Sequence, residues 1–384
     1  MLHRYAPITA TSEPLLSWWQ HHGRQEPAQK PWMFKFDGTW PLPDDSLSPY
    51  GIWVAEVMLQ QTQLSVVLPF WQRWMETFPT VNALATSSLE EVRLQWQGLG
   101  YYSRARRLHE AAQLLVELPW PRDLDGWMAL PGVGRTTAGG ILSSAFNAPT
   151  PILDGNVKRV LARLHAHGRP PSRDQPRFWH WSEVLLDQSR PRDFNQALMD
   201  LGATVCTPRR PGCHQCPWRD SCAAYASGDP SDWPVVEERK PLPFQVIGIG
   251  VVINEAGDVL IDQRLEEGLL GGMWEFPGGK QEPDEPIEAC IVRELMEELG
   301  IKVSVGEGLI TVDHAYSHKK LQFVVHLCRW ISGEPQPLAS QQVRWVRPEQ
   351  LKDYPFPAAN GRIIEALLGR LNKSNQLEGS GEGS

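Results

Sequence analysis

Residues 206–222 read CTPRRPGCHQCPWRDSC, four cysteines spaced C-x6-C-x2-C-x5-C. Structural zinc sites usually use two short pairs separated by roughly 12–20 residues. Four thiolates packed this closely, joined by turns bearing Pro and Gly, can instead surround a [4Fe–4S] cube held by Cys206, Cys213, Cys216 and Cys222. Zinc or free thiols are the alternatives. Before this ladder the chain reads as helices: WVAEVMLQQTQ (53–63), EVRLQWQGL (91–99), RARRLHEAAQLLVEL (104–118), RTTAGGILSSAF (135–146) and NVKRVLARLHAHG (156–168) recur near a period of 3.6 residues. After it the pattern changes to β-rich runs, FQVIGIGVVI, DVLIDQR, LQFVVHLCRW and QVRWV, with one amphipathic helix, IEACIVRELMEELG. The fold class is therefore multidomain, an all-α domain followed by an α/β domain. The expected boundaries are 1–226, a linker over 227–243 rich in Pro, Ser, Asp and charge, the α/β domain over 244–371, and a flexible tail over 372–384. Cys290 and Cys328 stand alone and read as buried apolar residues.

The 384 residues are 41% apolar and 21% charged, an ordinary composition for packed domains. No run of about 18 uncharged apolar residues is present, so no transmembrane helix and no membrane partner are expected. The segment MLHRYAPITATSEPLL lacks an apolar core with a small-residue cleavage site, so no signal peptide is expected and the compartment is read as cytoplasmic, with the nucleoid as the place of work. The net charge of −8 argues against coating nucleic acid non-specifically. It is unevenly divided: residues 1–226 carry 22 basic and 20 acidic side chains, and residues 227–384 carry 15 and 25. A nucleic-acid partner belongs to the first part. A monomer is expected.

LPGVG (130–134) joins two helical runs, and its glycines Gly132 and Gly134 permit a tight turn whose backbone N–H groups, with Arg135 following, hold a phosphate. Asp154 precedes NVKRVLARL as an N-cap, and a carboxylate there can also stabilise nearby positive charge. Glu56 lies in an apolar, amide-rich helix, where desolvation makes it a competent general acid. Arg104, Arg106 and Arg107 suit phosphate contacts, with a solvated helix face as the plain alternative.

These motifs, in this order over residues ~50–222, resemble the MutY family of adenine DNA glycosylases within the endonuclease III (helix-hairpin-helix) superfamily. The resemblance implies that Glu56 protonates a departing adenine, that Asp154 stabilises the oxocarbenium-like intermediate with Asn156 beside it, and that Gln61, Thr62, Leu99 and Tyr101 surround the base opposite a flipped adenine. It also implies a duplex DNA partner with adenine mispaired with 8-oxoguanine. Thr136 stands where the lyase members carry a Schiff-base lysine, and threonine forms no imine, so a monofunctional glycosylase is expected. One departure is plain: the family usually has PWR before the catalytic helix, whereas here Trp32 is followed by Met33 and a longer loop.

In the second domain Gly279, Glu285, Arg293, Glu294, Leu295, Glu297, Glu298, Gly300 and Ile301 complete the pattern G-x5-E-x7-R-E-U-x-E-E-x-G-U. This resembles the Nudix box, in which Glu294, Glu297 and Glu298 converge on one helix face able to bind Mg²⁺. The resemblance to MutT extends to Arg264, Phe276 and Asn360 around a nucleotide, and Tyr316-Ser317-His318 resembles the Phe-Ser-His loop with which MutY reads 8-oxoguanine. Three alternatives stay open. They are a bifunctional chain that also hydrolyses 8-oxo-dGTP, an endonuclease III-type abasic lyase, and a non-catalytic lesion-binding protein.

Overall fold

The computed structural model describes residues 10–237, 241–268, 270–316 and 319–379. The chain divides into two compact units, one built from the residues up to Thr86 and those from Arg107, the other from Ser87–Arg106 with the C-terminal part. The second grouping was not visible in the sequence, where residues 87–106 continue the helical pattern without a break.

The first unit is helical: α1 (Ser12–His22), α2 (Pro49–Leu59), α3 (Leu64–Thr77), α4 (Val81–Thr86), with α5 (Leu89–Trp96) and the start of α6 (Ser103–Leu115) belonging to the other unit, then α7 (Leu124–Met128), α8 (Arg135–Phe146), α9 (Gly155–Leu164), α10 (Gln175–Leu185), α11 (Pro191–Asp200) and α12 (Ala223–Ala226). Helix α2 is apolar all round and is buried all round, Ile52, Trp53, Val54, Ala55 and Met58 having no exposed surface. A second packing centre joins Leu15, Trp19, Val157, Leu161, Phe178, Phe194 and Leu198, and Cys206, Cys216 and Cys222 of the ladder lie against it. The tryptophans are mostly core: Trp19, Trp53, Trp74, Trp96 and Trp127 are among the largest fully buried side chains. The segment read as linker is partly anchored, because Nε of the buried Arg163 donates to the carbonyls of Pro230 and Trp233, both at 2.9 Å.

The second unit holds β1 (Phe244–Ile253), β2 (Val259–Gln263), β3 (Trp274–Glu275), β4 (Gly278–Lys280), α13 (Ile287–Leu299), β5 (Lys302–Ala315), β6 (Lys320–Ser332), β7 (Gln342–Val346) and α14 (Ala358–Gly379). The sheet runs β3-β2-β1-β6-β5, with β4 on β1 and β7 on β2. The β1–β6 pair is parallel and in register from Phe244↔Lys320 to Ile253↔Arg329; the other pairs are antiparallel. Alternation along β1 sorts the core into two layers: Ile249 and Val251 share a cluster with Ile363 and Leu367 of α14, while Val252 joins Ile291, Leu295 and Leu299 of α13. Cys290 and Cys328 are buried as expected. Helix α14 continues to Gly379, where the composition pointed to a flexible tail from residue 372.

Candidate functional site

A cleft of about 960 Å³ opens in the first unit, and Glu56, Gln61, Thr62, Asp154 and Asn156 all line it. The two carboxylates come from unrelated elements. Glu56 is mid-helix on α2, and it fits because Gly140 of α8 faces it: a Cβ at that position would sit 2.7 Å from the Glu56 Oε2. Asp154 is the N-cap of α9, its Oδ1 accepting the Val157 N–H at 2.7 Å.

Their environments differ in protonation. Burial, reinforced by the nearby Asp154, pushes the Glu56 carboxyl up to about 8, against a smaller pull from Lys30. Burial also raises Asp154, but the Val157 N–H and the Arg159 charge act against it. Glu56 is thus protonated at neutral pH, while Asp154 is bonded by the Val157 N–H and lies near the Arg159 charge. Such a pair can donate a proton to a leaving group and stabilise positive charge left behind.

The hairpin is formed as expected. Gly132 takes φ +78°, a conformation that L side chains rarely adopt, and a Cβ there would meet the Arg107 Cβ at 2.9 Å. Helix α8 starts at Arg135, whose guanidinium bonds the Glu183 carboxylate at 2.6 Å and lies 4.0 Å over the Trp179 ring. Thr136 donates its hydroxyl to the Leu153 carbonyl at 3.2 Å, tying the hairpin helix to the segment that delivers Asp154.

Leu99 and Tyr101 belong to the second unit. Leu99 is buried, while Tyr101 is half-exposed and takes φ +49°. Gln61 also lies in the left-handed region, at φ +58°. Non-glycine residues held there store strain that tends to sit at functional positions. Arg104 corrects an expectation: it is turned inward, donating to the Leu99 and Gly100 carbonyls at 3.2 and 3.0 Å, and so it shapes the 99–101 turn where a phosphate contact was expected.

Sequence reasoning missed the polar and charged wall of the cleft formed by Arg24, Lys30, Arg159, Gln196 and Asp200. Lys30 is 5% exposed, its Nζ donating at 2.8 Å both to Gln196 Oε1 and to Asp200 Oδ1. Met33 has no exposed surface and packs in the core, and Lys30, immediately before the PW dipeptide, brings a cation to the cleft wall. A lone lysine before Pro-Trp carries no periodic signal that would have marked it.

The four thiols of the ladder line one apolar space with Val160, Leu164, Leu201 and Trp218. Burial pushes Cys216 up to about 12 and raises Cys213 and Cys222. A guanidinium nitrogen of Arg163 lies 3.3 Å from the Cys206 Sγ. Among the described residues no group of three or more His, Cys, Asp or Glu is arranged to hold a single metal ion. Four thiols around one space, in surroundings that oppose their ionisation unless strong positive charge is present, fit a polynuclear iron–sulfur group better than isolated thiols.

In the second unit Arg293 binds Glu285 at 2.8 and 2.9 Å, Glu294 at 2.9 Å and Glu297 at 3.2 Å. Burial first, then Glu294 and Glu275, push Glu298 up to about 7. Glu297 differs, its side chain 60% exposed. Gly279 gives Glu294 its room, since a Cβ there would lie 2.1 Å from Oε2. Two further carboxylates were missed: Glu275, bound by Arg264 at 2.6 and 2.8 Å, and its cross-strand partner Asp262, raised by burial and by Glu275. Phe276 is a core residue, stacked 5.6 Å from Phe356, and its N–H reaches Asn360 Oδ1 at 3.5 Å. Tyr316 lies near Arg264, whose charge acts on it, and 4.6 Å from the His314 ring. Ser317 and His318 lie outside the described residues.

A hairpin-led cleft with two carboxyl groups, followed by a mixed sheet between helices bearing a complete box, defines a helix-hairpin-helix repair protein with a Nudix domain. The HhH-GPD superfamily base excision DNA repair protein family matches residues 54–180, and the NUDIX domain family matches residues 248–366. Among relatives, the adenine DNA glycosylase of Homo sapiens is 36% identical over 95% of this chain and 75% of its own length. Those of Mus musculus (36%, over 90% and 75%) and Buchnera aphidicola from Acyrthosiphon pisum (30%, over 82% and 84%) are similar. The chain belongs to the adenine DNA glycosylase family.

Proposed function

We propose that this chain removes adenine mispaired with 8-oxoguanine, or with guanine, from duplex DNA in base excision repair. The adenine is extruded from the helix into the cleft of the first unit. Glu56 holds a proton at neutral pH and gives it to the departing base, which weakens the N-glycosidic bond. Asp154 faces the sugar and stabilises the positive charge as the bond breaks, with Asn156 and Arg159 fixing the start of α9; water then bonds to the sugar carbon and gives up a proton to the Glu56 carboxylate. The observation that carries this reading is the shared cleft of Glu56 and Asp154, with Glu56 pushed up to about 8.

The turn at Gly132–Gly134 and the first turn of α8 are assigned to phosphate, and Gln61, Thr62, Leu99 and Tyr101 to the bases around the extruded one. Cys206, Cys213, Cys216 and Cys222 would hold a [4Fe–4S] cluster, which would brace the loop between α11 and α12. The second unit is assigned the reading of 8-oxoguanine, with Tyr316, Ser317 and His318 as the contact loop.

The test is excision from an A:8-oxoguanine duplex by Glu56→Gln and Asp154→Asn variants. Both should lose excision while retaining duplex binding; excision by either at the parent rate would sink the assignment. A second reading, hydrolysis of 8-oxo-dGTP with Mg²⁺, is favoured by the complete box and by Glu298 lying within the charge of both Glu294 and Glu275. Release of pyrophosphate that disappears in Glu298→Gln would support it, and no release above that control would restrict the unit to binding.

A further inference from the structure

The cleft holds six charged or titratable side chains: Arg24, Lys30, Glu56, Asp154, Arg159 and Asp200. An ammonium near a carboxyl group favours its ionised form, so an unneutralised Lys30 would strip Glu56 of the proton it must donate. The structure answers this with Asp200, the last residue of α11. Asp200 is 1% exposed, and its Oδ1 receives the Lys30 ammonium at 2.8 Å. Its other oxygen accepts the Trp19 Nε1–H at 2.9 Å and the Arg24 N–H at 3.0 Å. These bonds fix it in place. Gln196, one turn earlier on α11, accepts a second Lys30 proton. The lysine is thus turned towards α11 by two acceptors on one helix face.

Resting on the reading of Glu56 as the acid, we propose that the Lys30–Asp200 pair is a positioning device for it, Asp200 acting as the counter-ion that stops the Lys30 charge from dissociating the Glu56 carboxyl. Neither residue transfers the proton. The remaining charges of the cleft fit this arrangement. Asp154 reinforces the protonated form of Glu56, and Arg159 is directed to the Gly202 and Cys206 carbonyls and to Asn156. The Arg24 guanidinium also lies on the Asp200 side, 3.9 Å from Oδ1.

The two members of such a pair have opposite effects when removed, which a merely structural role does not produce. The experiment follows single-turnover excision of adenine from a mispaired duplex against pH, in the full chain. The parent should lose activity through an alkaline limb as Glu56 dissociates. Lys30→Met should move that limb to higher pH by about one unit, and Asp200→Asn should move it down by about one unit, a roughly tenfold loss of rate above the limb. The double variant should return towards the parent, and Lys30→Arg, which keeps the charge, should leave the limb in place. If Asp200→Asn fails to fold because Trp19 and Arg24 lose their acceptor, Lys30→Met and the double variant still decide. Limbs that stay together in all variants would overturn the proposal while leaving Glu56 as the acid. A parent profile with no alkaline limb would overturn both.

Discussion

Replacing Glu56 by glutamine removes a proton-binding site without changing shape, so the change in stability with pH measures how far the fold has displaced that carboxyl. The native group titrates at about 8 against an ordinary value of 4.5. Between these values the native state holds a proton that the unfolded chain has released, so stability falls as pH rises and the loss is complete above the native value. At 1.36 kcal/mol per unit, the contribution is about 3.3 kcal/mol at pH 5.5 and about 0.2 kcal/mol at pH 8.5. The glutamine variant has no such titration. Relative to it, the parent should lose about 3 kcal/mol between these two pH values, or roughly 6–12 °C in melting temperature for a unit of this size. Thermal unfolding of both proteins at both pH values, followed by near-ultraviolet circular dichroism, reads this double difference directly. A gap that stays within about 2 °C across the range would refute the displaced carboxyl, and with it the claim that burial arms Glu56.

Gly140→Ala places a methyl carbon against the Glu56 Oε2 and should displace the acid, lowering the excision rate on the order of 100-fold while duplex affinity holds; an unchanged rate would mean that α8 does not position Glu56. Borohydride treatment during turnover should trap little enzyme–DNA adduct, because Thr136 has no amine and Lys30 Nζ is engaged by Gln196 and Asp200; strong trapping abolished by Lys30→Met would contradict that. Arg104→Leu removes two bonds to the 99–101 turn at a cost of about 1–3 kcal/mol and should weaken duplex binding through Tyr101 without altering the alkaline limb. A variant that binds duplex as well as the parent would show that the turn holds its shape unaided.

Chemistry carried by local spacing was legible in the sequence. The strand Phe244–Ile253 and the helix Arg135–Phe146 coincide with the runs read from periodicity, because a two-residue or 3.6-residue pattern records which face meets the core. The turn at Gly132, the cap at Asp154 and the box on α13 were legible for the same reason: their geometry is set within a few residues. Elements decided by packing were not. Arg104 reads as one of three exposed arginines, yet the fold turns it onto two carbonyls of its own turn. Residues 87–106 read as continuous with the helices around them, yet they pack with the C-terminal unit, where Trp274 Nε1 reaches Glu90 at 2.9 Å.

The sequence by itself determined the two kinds of domain, the cysteine ladder, the hairpin and the two carboxyl residues. Only the tertiary structure decided their electrostatics. Lys30 and Asp200 stand 170 positions apart, and Asp262 and Glu275 are joined by strand pairing. Whether a carboxyl group keeps its proton depends on the charges and burial brought around it by folding, and a linear pattern does not record distances between elements that meet only in the fold.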